Sequence, residues 1–165
     1  MILAADVFYD DKTSSGRVAG ILFEDWLSQA PKDVRVFIQQ KVQGYSSGAF
    51  YKRELPCLQA LLRTLEECPP DLIIIDGYVD LSKNKPGLGR YLFNYLDGRI
   101  PVVGVAKTAF LGSDSIPVSR FGTKPLFVSA AGIESSEAAG LVSSMHGRYR
   151  IPTLLKTVDQ ISRGL

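Results

Sequence analysis

The chain has 165 residues, of which 45% are hydrophobic and 22% charged. This composition excludes a disordered or fibrous protein and favours one globular domain over residues 1–165. A formal net charge of +2 neither requires nor excludes a polyanionic partner, because the placement of charges matters more than their sum. The first residues lack the basic and apolar regions of a signal peptide, and no apolar run reaches the ~20 residues of a membrane span. We therefore expect no membrane partner.

The first part of the chain predicts three strands, at Ile2–Tyr9, Arg17–Trp26 and Val34–Val42. These runs are rich in β-branched and aromatic residues, and a Thr-Ser-Ser-Gly turn separates the first two. Because the connections are short, we expect the three strands to form an antiparallel meander.

The remainder of the chain alternates helices with short apolar strands. Leucines at helical spacing from Leu55 to Leu65 predict the first helix, with Pro56 in its first turn and Pro69-Pro70 at its end. The later elements are predicted as strands over residues 71–76, 101–106 and 126–129 and as helices over residues 88–96, 135–146 and 153–163. Strands buried on both sides require a mixed α/β sheet with helices on both faces. By analogy, this order of elements matches the ribonuclease H-like fold with strand order 3-2-1-4-5.

The two cysteines, Cys57 and Cys68, lie in the part of the chain predicted as the first helix. They are too far apart along a helix to form a disulfide, so we expect both to be reduced thiols in the core. Reduced thiols are typical of cytosolic proteins, and the expected location is therefore cytoplasmic.

Three carboxylates stand out by their positions. Asp6 interrupts the first apolar strand, Asp76 follows the isoleucines of the fourth strand, and Glu54 lies at the start of the first helix. Each has an ordinary explanation taken alone. Asp6 is then a hydrogen-bonded core or strand-edge residue, Asp76 part of an Asp-Gly turn, and Glu54 a carboxylate that complements the helix dipole.

Together the three acids predict a metal site. If the first strand pairs with the fourth, their backbones lie about 4.8 Å apart, so that Asp6 and Asp76 converge and Glu54 reaches them from the adjoining helix. Carboxylates this close repel one another unless a cation lies between them. Oxygen-only ligands favour Mg²⁺ or Mn²⁺, and such a site typically activates water for phosphodiester cleavage.

Lys107 follows the buried strand that ends at Ala106. A lysine in this position commonly extends to solvent. Alternatively it lies beside the carboxylates, where it orients water or neutralises charge at a phosphate. The sequence leaves both interpretations open.

Several segments resemble, in chain order, motifs of the endonuclease V family, whose members cleave nucleic acid near deaminated adenine (inosine or deoxyinosine). The segments are Asp6-Val7-Phe8-Tyr9, Tyr45-Ser46-Ser47-Gly48 followed by Arg53-Glu54-Leu55-Pro56, Pro70–Gly77, Ile100–Lys107 and Pro125–Ser129. The resemblance covers most of the chain. Motifs that recur in this order are far more specific than any one of them alone.

The resemblance implies roles for individual residues. Asp6, Glu54 and Asp76 would bind the metal, Mg²⁺ or alternatively Mn²⁺, and would act in catalysis together with Lys107, a helper close to the phosphate. Tyr45 would belong to a wedge that separates the strands beside the damaged base. The ordinary alternative for Tyr45 is a loop aromatic that packs on the sheet.

The loop after the fourth strand departs from the family pattern. Ser82 and Lys83 stand where the family has a His-Pro pair. With Lys85, and with Arg90 in the following helix, they form a candidate substrate-binding surface whose phosphate contacts would position the substrate rather than specify it. The alternative is a solvated loop and helix face.

Other departures concern the wedge, a histidine and the length of the chain. Ser47 replaces a proline of the wedge, and Lys52 replaces the aromatic residue before Arg53. Gly132 falls near the position of a histidine close to the metal, and the single histidine, His146, is expected at a helix end on the surface. The chain also lacks the leading helical segment of the family, and the stretch between Lys107 and Pro125 is shorter than usual.

These observations favour a divalent-metal-dependent endonuclease of the DNA repair type, which hydrolyses a phosphodiester bond near inosine or deoxyinosine in DNA or RNA. One alternative is a relative with weakened catalysis that still binds nucleic acid. The other is a metal nuclease that acts on branched or flapped nucleic acid, since this fold hosts several nucleases. The sequence does not predict the oligomeric state.

Overall fold

The computed structural model describes all residues 1–165 as nine strands and four helices. The strands are β1 (Ile2–Asp10), β2 (Ser15–Phe23), β3 (Asp33–Gln39), β4 (Leu72–Asp76), β5 (Asp80–Ser82), β6 (Lys85–Pro86), β7 (Val102–Ala106), β8 (Ile116–Val118) and β9 (Leu126–Ala131). The helices are α1 (Phe50–Arg63), α2 (Leu88–Tyr95), α3 (Ser135–Ser144) and α4 (Thr153–Ser162). None of the helices is both long enough and apolar enough to span a bilayer.

Seven strands form one mixed sheet with the order β3-β2-β1-β4-β7-β9-β8. The first five are the strands of the predicted 3-2-1-4-5 order, which is confirmed, and β1 to β3 form the expected antiparallel meander. β1, β4 and β7 run parallel, whereas β9 and β8 extend the sheet in antiparallel fashion. The strand β8 was not predicted, because its three residues include Pro117 and are too few to establish an alternating pattern.

Alternate side chains of the strands point to opposite faces of the sheet, and each face packs against two helices. Ala4, Ile74 and Val103 point to the face covered by α3 and α4. Leu3 and Ile73 point to the face covered by α1 and α2. These residues are almost fully buried, so a shift of one position in the pairing would move apolar side chains to the wrong layer.

The first helix differs from its prediction at both ends. It begins at Phe50, so Glu54 is its fifth residue instead of lying at its start, and Pro56 lies inside the helix instead of in its first turn. A proline inside a helix removes one backbone hydrogen bond and crowds the carbonyl four residues before it, yet α1 continues through Pro56 to Arg63. The helix ends at Arg63, and Cys68 therefore lies beyond it on the surface. Only Cys57 is the buried thiol that was expected.

Candidate active site

The carboxyl ends of β1, β4 and β7 bring three predicted site residues together. Ala4 of β1 is paired with Ile74 of β4. Asp6 and Asp76 each follow two residues later, so they lie at the same level along the two strands. The two acids share the face of Ala4 and Ile74 because side chains alternate with a period of two. Lys107 follows β7, and its Nζ lies 3.0 Å from Oδ2 of Asp76.

Asp6 packs against α4. Its Oδ2 accepts a hydrogen bond from the Ser162 hydroxyl, whose oxygen also lies 2.8 Å from the carbonyl oxygen of Asp159. Burial raises the pKa of Asp6 and outweighs the Ser162 hydrogen bond, which lowers it, while the charges of Asp76 and Asp159 add to the increase. The protein around Asp6 therefore disfavours its ionised form unless further positive charge is present.

Glu54 reaches the same place from α1. The residue is only 3% exposed, and burial, followed by the charges of Asp6 and Asp76, raises the pKa of its carboxyl well above the usual value. Its neighbour Arg53 forms an ion pair of 3.0 Å with Asp11. The charge of Arg53 lowers the pKa of Glu54 but does not outweigh burial and the two acids. A buried carboxylate beside two others is an environment in which a bound cation relieves the repulsion.

Asp159 of α4 is a fourth acid at this place, and it was missed from the sequence. Its Oδ1 lies 3.8 Å from Nζ of Lys107 and 3.2 Å from Nε of Arg163. The balance of charge around Lys107 reflects this cluster: burial lowers the pKa of Lys107, but Asp76, Asp159 and Asp6 outweigh that effect and raise it. The only signal in the sequence was a single acid in the last predicted helix, which periodicity alone does not distinguish from a solvent-exposed aspartate.

The four acids line one open cleft of about 290 Å³. Its other lining residues include Phe8, Phe50, Gly77 and Arg163. No three of the acids are arranged so that they could hold a metal ion in this structure. Asp6 is hydrogen-bonded to Ser162, and Asp76 to Lys107. The donors are nevertheless all carboxylate oxygens, two of them with raised pKa values. This chemistry fits Mg²⁺ or Mn²⁺ and not zinc.

A second pocket of about 210 Å³ adjoins the cleft at Asp76 and Gly77. Its walls are mainly apolar or aromatic and include Tyr51, Tyr78, Leu81, Leu88 and Phe110. The Tyr78 hydroxyl donates a hydrogen bond to the carbonyl of Thr108, which ties one wall of the pocket to the segment that follows Lys107. The pocket is thus an apolar space directly beside the acids, with aromatic rings on both sides.

The remaining predicted site residues lie on loops around these two cavities. Tyr45 is 69% exposed, so it does not pack on the sheet as its ordinary interpretation required. Ser82 ends β5 and Lys85 begins β6, with Lys83 in the turn between them. Nζ of Lys85 lies beside Gly48, 3.8 Å from where its Cβ would be. The wedge-like loop and the β5–β6 hairpin therefore adjoin each other.

Arg90 does not belong to a free cationic surface. Its guanidinium binds the carboxylate of Asp80 through two nitrogens, at 2.7 and 3.1 Å. This pair joins α2 to β5. It neutralises the charge of Arg90, which the sequence places in the candidate substrate-binding surface. Of the cations in this region, Lys83 and Lys85 alone are exposed and without a carboxylate partner.

Two arginines hold the segment after Lys107 against the connection between α3 and α4. Arg120 is buried and donates to the carbonyls of Met145, Gly147 and Tyr149 among others. In the opposite direction, the guanidinium of Arg150 donates to the carbonyls of Lys107 and Pro125. Each segment thus supplies an arginine to the backbone of the other, and the position of Lys107 depends on both.

The packing after β9 does not accommodate a histidine at the position of Gly132. Gly132 has φ +86°, and a Cβ there would lie 3.0 Å from the ring of Phe93 and from Cα of Pro101. A histidine at Gly132 would therefore clash as well as strain the backbone. His146 lies far along the chain and is exposed, with Nδ1 3.0 Å from Oγ1 of Thr153.

Comparison with known proteins gives a consistent result. The family model for endonuclease V matches residues 1–120. Endonuclease V of Streptomyces avermitilis is 28% identical and the alignment covers 98% of this chain and 79% of that protein; its crystal structure superposes with a TM-score of 0.77. Human endonuclease V gives a TM-score of 0.80 at 22% identity, covering 99% of this chain and 82% of that one.

A further structural match is endonuclease V of Ciona intestinalis, solved in complex with a 23mer DNA that contains an inosine followed by a ribo-adenosine. Its TM-score is 0.81 at 18% identity, and the match covers 99% of this chain and 83% of that one. These matches confirm the predicted ribonuclease H-like fold, including the mixed sheet and the helices on both of its faces.

Proposed function

The chain belongs to the endonuclease V family, whose members are nucleases, and from this premise we propose that it is a divalent-metal-dependent endonuclease that hydrolyses a phosphodiester bond near inosine or deoxyinosine. The observation that carries the proposal is the convergence of Asp6, Glu54, Asp76 and Asp159 on one cleft, with Lys107 between two of them. We also propose that residues 1–165 act as one cytoplasmic domain, since the exposed thiol of Cys68 fits a reducing compartment.

In the proposed mechanism the four acids hold the metal. Asp6, Glu54, Asp76 and Asp159 supply only carboxylate oxygens, as Mg²⁺ or Mn²⁺ prefers. The metal, when bound, supplies Lewis-acid activation of water and stabilises the leaving oxygen. Ser162 orients the Asp6 carboxylate by its hydrogen bond.

Lys107 has two tasks in this proposal. Its ammonium group holds Asp76 at 3.0 Å and lies 3.8 Å from Asp159, so it sets the orientation of two carboxylates. It is also, with Arg163 of the cleft wall, a cation close to a phosphate bound at the acids. There it would balance negative charge that increases in the transition state.

The pocket beside Asp76 and Gly77 is the proposed site of the deaminated base. A base reaches such a pocket only after it leaves the stack, at a cost of a few kcal/mol. The aromatic walls at Tyr51, Tyr78 and Phe110 suit a planar heterocycle. Tyr45, exposed on the adjoining loop, is proposed to fill the gap that the base leaves, and Ser82, Lys83 and Lys85 are proposed to contact the phosphates beside it.

One observation favours a second candidate function, a nucleic-acid-binding relative with weakened catalysis. The packing around Gly132 excludes a histidine there, and the position of the His-Pro pair is occupied by Ser82 and Lys83. The acids would then hold a metal and a phosphate without efficient hydrolysis. Binding would persist and would weaken with salt, because phosphate contacts release counterions.

A cleavage assay distinguishes the two functions. Labelled DNA and RNA strands with one inosine, and matched strands with adenosine, are incubated with the protein and Mg²⁺ or Mn²⁺. We expect cleavage of the inosine strands by the wild type and loss of at least about 100-fold in rate for Asp76→Asn. The matched control is Asp97→Asn, which changes an exposed acid paired with Arg99 far from the cleft. Binding without cleavage by the wild type would favour the second function, and undiminished cleavage by Asp76→Asn would contradict the proposed site.

A further inference from the structure

A second groove runs along α4, outside the cleft that contains the acids. It has a volume of about 580 Å³, within the usual range of ligand sites. The lining residues are Tyr149, Arg150, Ile151, Thr153, Lys156, Thr157 and Gln160. None of these side chains is acidic, and the helical residues among them recur at the spacing of one helix face.

The charge of this groove is positive and is not neutralised. Residues 138–158 contain no Asp or Glu. Lys156 is exposed and forms no ion pair, and the Arg150 guanidinium donates only to backbone carbonyls. A groove lined by cations without carboxylate partners attracts a polyanion, and the attraction falls with ionic strength.

Tyr149 adds an unpaired aromatic surface at the mouth of the groove. Its side chain is 79% exposed, although a tyrosine ring has a large apolar face. The ring of Tyr149 forms no pair with another aromatic ring. Positive charge that follows a backbone, together with an exposed ring on which a base stacks, is the combination used to bind single-stranded nucleic acid.

The groove and the acidic cleft share no lining residue, but both are lined by residues of α4. Lys156 precedes Asp159 by three residues on α4, so the two side chains are neighbours on the helix surface, less than one turn of about 5.4 Å apart. Arg150 contacts the carbonyl of Lys107 directly. A strand whose phosphate lies at the acids therefore needs to continue by only a short distance to reach Lys156.

We propose that the α4 groove binds the single strand of nucleic acid that continues from the cleavage site. Lys156 contacts its phosphates, the guanidinium of Arg150 adds positive charge to the wall of the groove, and Tyr149 stacks on one of its unpaired bases. This inference rests on the proposed function and adds a subsite to it. The residues involved lie beyond residues 1–120, which the family model matches, and the subsite is argued from the contacts and charges of this chain.

A groove at the opposite end of the molecule provides the control. It lies between the ends of α1 and α2 and has a similar volume, about 520 Å³. It also contains a partly exposed tyrosine, Tyr95, and two arginines, Arg63 and Arg99, but its lining includes the acid Glu66, and Arg99 is paired with Asp97. Tyr95→Ala and Arg63→Gln therefore each remove a tyrosine ring or one positive charge, as Tyr149→Ala and Lys156→Gln do, at a site without the proposed role.

The test measures binding as a function of strand length. Fluorescent DNA strands with one deoxyinosine are extended by 0 to 12 nucleotides on the 3′ side or on the 5′ side. Dissociation constants are measured with Ca²⁺ in place of Mg²⁺, at several salt concentrations, and gels confirm that the strands stay intact. The same preparations are then assayed for cleavage with Mg²⁺, and their melting temperatures are compared with that of the wild type.

We expect the wild type to gain affinity from extension on one of the two sides. Tyr149→Ala should reduce the gain in affinity on strand extension at least about fivefold. Lys156→Gln should reduce the slope of log affinity against log salt by about 0.7. The two control variants should keep both the gain and the slope. Groove variants that retain the wild-type gain and slope, in a protein that binds and cleaves inosine strands, would overturn the subsite alone.

The other outcomes separate the subsite from the enzyme. Length-dependent binding that requires Tyr149 and Lys156, without cleavage by the wild type, would support the subsite and contradict the proposed endonuclease activity. A wild type that binds neither short nor extended strands would overturn both.

Discussion

Residues 1–120 and residues 121–165 contribute to the same cleft in different ways. The first region carries β1, β4, β7 and α1, and supplies Asp6, Glu54, Asp76 and Lys107 from the ends of strands and from one buried helix face. The second region carries α4, which supplies Asp159 and lays Ser162 against Asp6. The first region contains every family-like motif except Pro125–Ser129, yet the cleft is not complete without the second.

The difference shows how a site can be shared between segments with unequal signals. An acid at the end of an apolar strand is conspicuous, because burial makes a carboxylate costly there. An acid on an amphipathic helix is commonplace, because one face of the helix is exposed to water. Asp159 becomes notable only when the fold places it 3.8 Å from Lys107.

The sharpest test of this comparison is Asp159→Asn. If the C-terminal region supplies a working ligand, the substitution should reduce the rate of inosine-strand cleavage by about 100-fold or more, as for an acid of the first region. Single-turnover kinetics with Mg²⁺ measure this rate. The control is Glu137→Gln in the first turn of α3, where no loss is expected. A rate within a factor of three of the wild type would restrict the chemistry to residues 1–120.

The fold was predictable from the sequence because its determinants are local. The Ile73–Ile75 run and the Val102–Ala106 run are apolar on both faces, which only a strand covered by helices on both sides explains. The departures also have local causes. α1 begins at Phe50, before its leucine pattern starts, where Phe50 lies edge-on to Tyr9 and Tyr51 stacks on Tyr91 of α2. β8 is too short to show a pattern.

The site was predictable only where motifs mark it. Asp6, Asp76 and Lys107 lie at strand ends, where register and a period of two bring them together. The positions of Asp159 and of the α4 groove depend on how α4 packs against β1 and β2. That packing is a tertiary contact without a sequence signature. The same holds for Arg120, whose partners are backbone carbonyls that any residue provides.

Arg120→Met tests whether the two regions are held together by this buried guanidinium. The substitution removes the donors to several carbonyls of residues 143–150 and leaves them without partners. We expect the free energy of unfolding to fall by about 3 kcal/mol, a decrease of roughly 6–12 °C in Tm. Thermal unfolding followed by circular dichroism measures it, with Arg148→Met, an exposed neighbour, as the control. A Tm within 2 °C of the wild type would show that the carbonyls find other donors.

Lys107 lies where the two regions meet, since its side chain binds Asp76 and its carbonyl accepts from Arg150. Lys107→Met removes the cation between Asp76 and Asp159, and we expect cleavage to slow by about 10- to 100-fold, with Lys107→Arg retaining part of the rate. Lys124→Met, exposed in the segment that follows, is the matched control. Equal rates for Lys107→Met and the wild type would mean that the lysine has a structural role and no role in cleavage.

Glu54→Gln is the substitution with the smallest expected effect on stability. It measures how much the buried acids of the first region lower the free energy of unfolding. Burial and the charges of Asp6 and Asp76 raise the pKa of Glu54 well above its usual 4.5, so the folded protein binds this proton more tightly than the unfolded chain. The stabilisation is complete below about pH 4.5 and is lost as the pH rises toward the raised folded-state pKa. Without metal, the wild type should therefore lose stability between pH 4.5 and neutral pH, whereas Glu54→Gln should not lose this contribution.

The expected result is a variant that is more stable than the wild type at pH 8 in EDTA, by about 1 kcal/mol or 2–4 °C in Tm. The difference should shrink at pH 4.5, where the wild-type carboxyl is protonated. Mg²⁺ should stabilise the wild type more than the variant, because a ligand that binds only the folded state raises its stability. Glu137→Gln should follow the wild type throughout. A variant less stable than the wild type at pH 8 in EDTA would mean that the Glu54 carboxylate is compensated by the protein itself, and the first region would then carry no unpaired charge for a metal to neutralise.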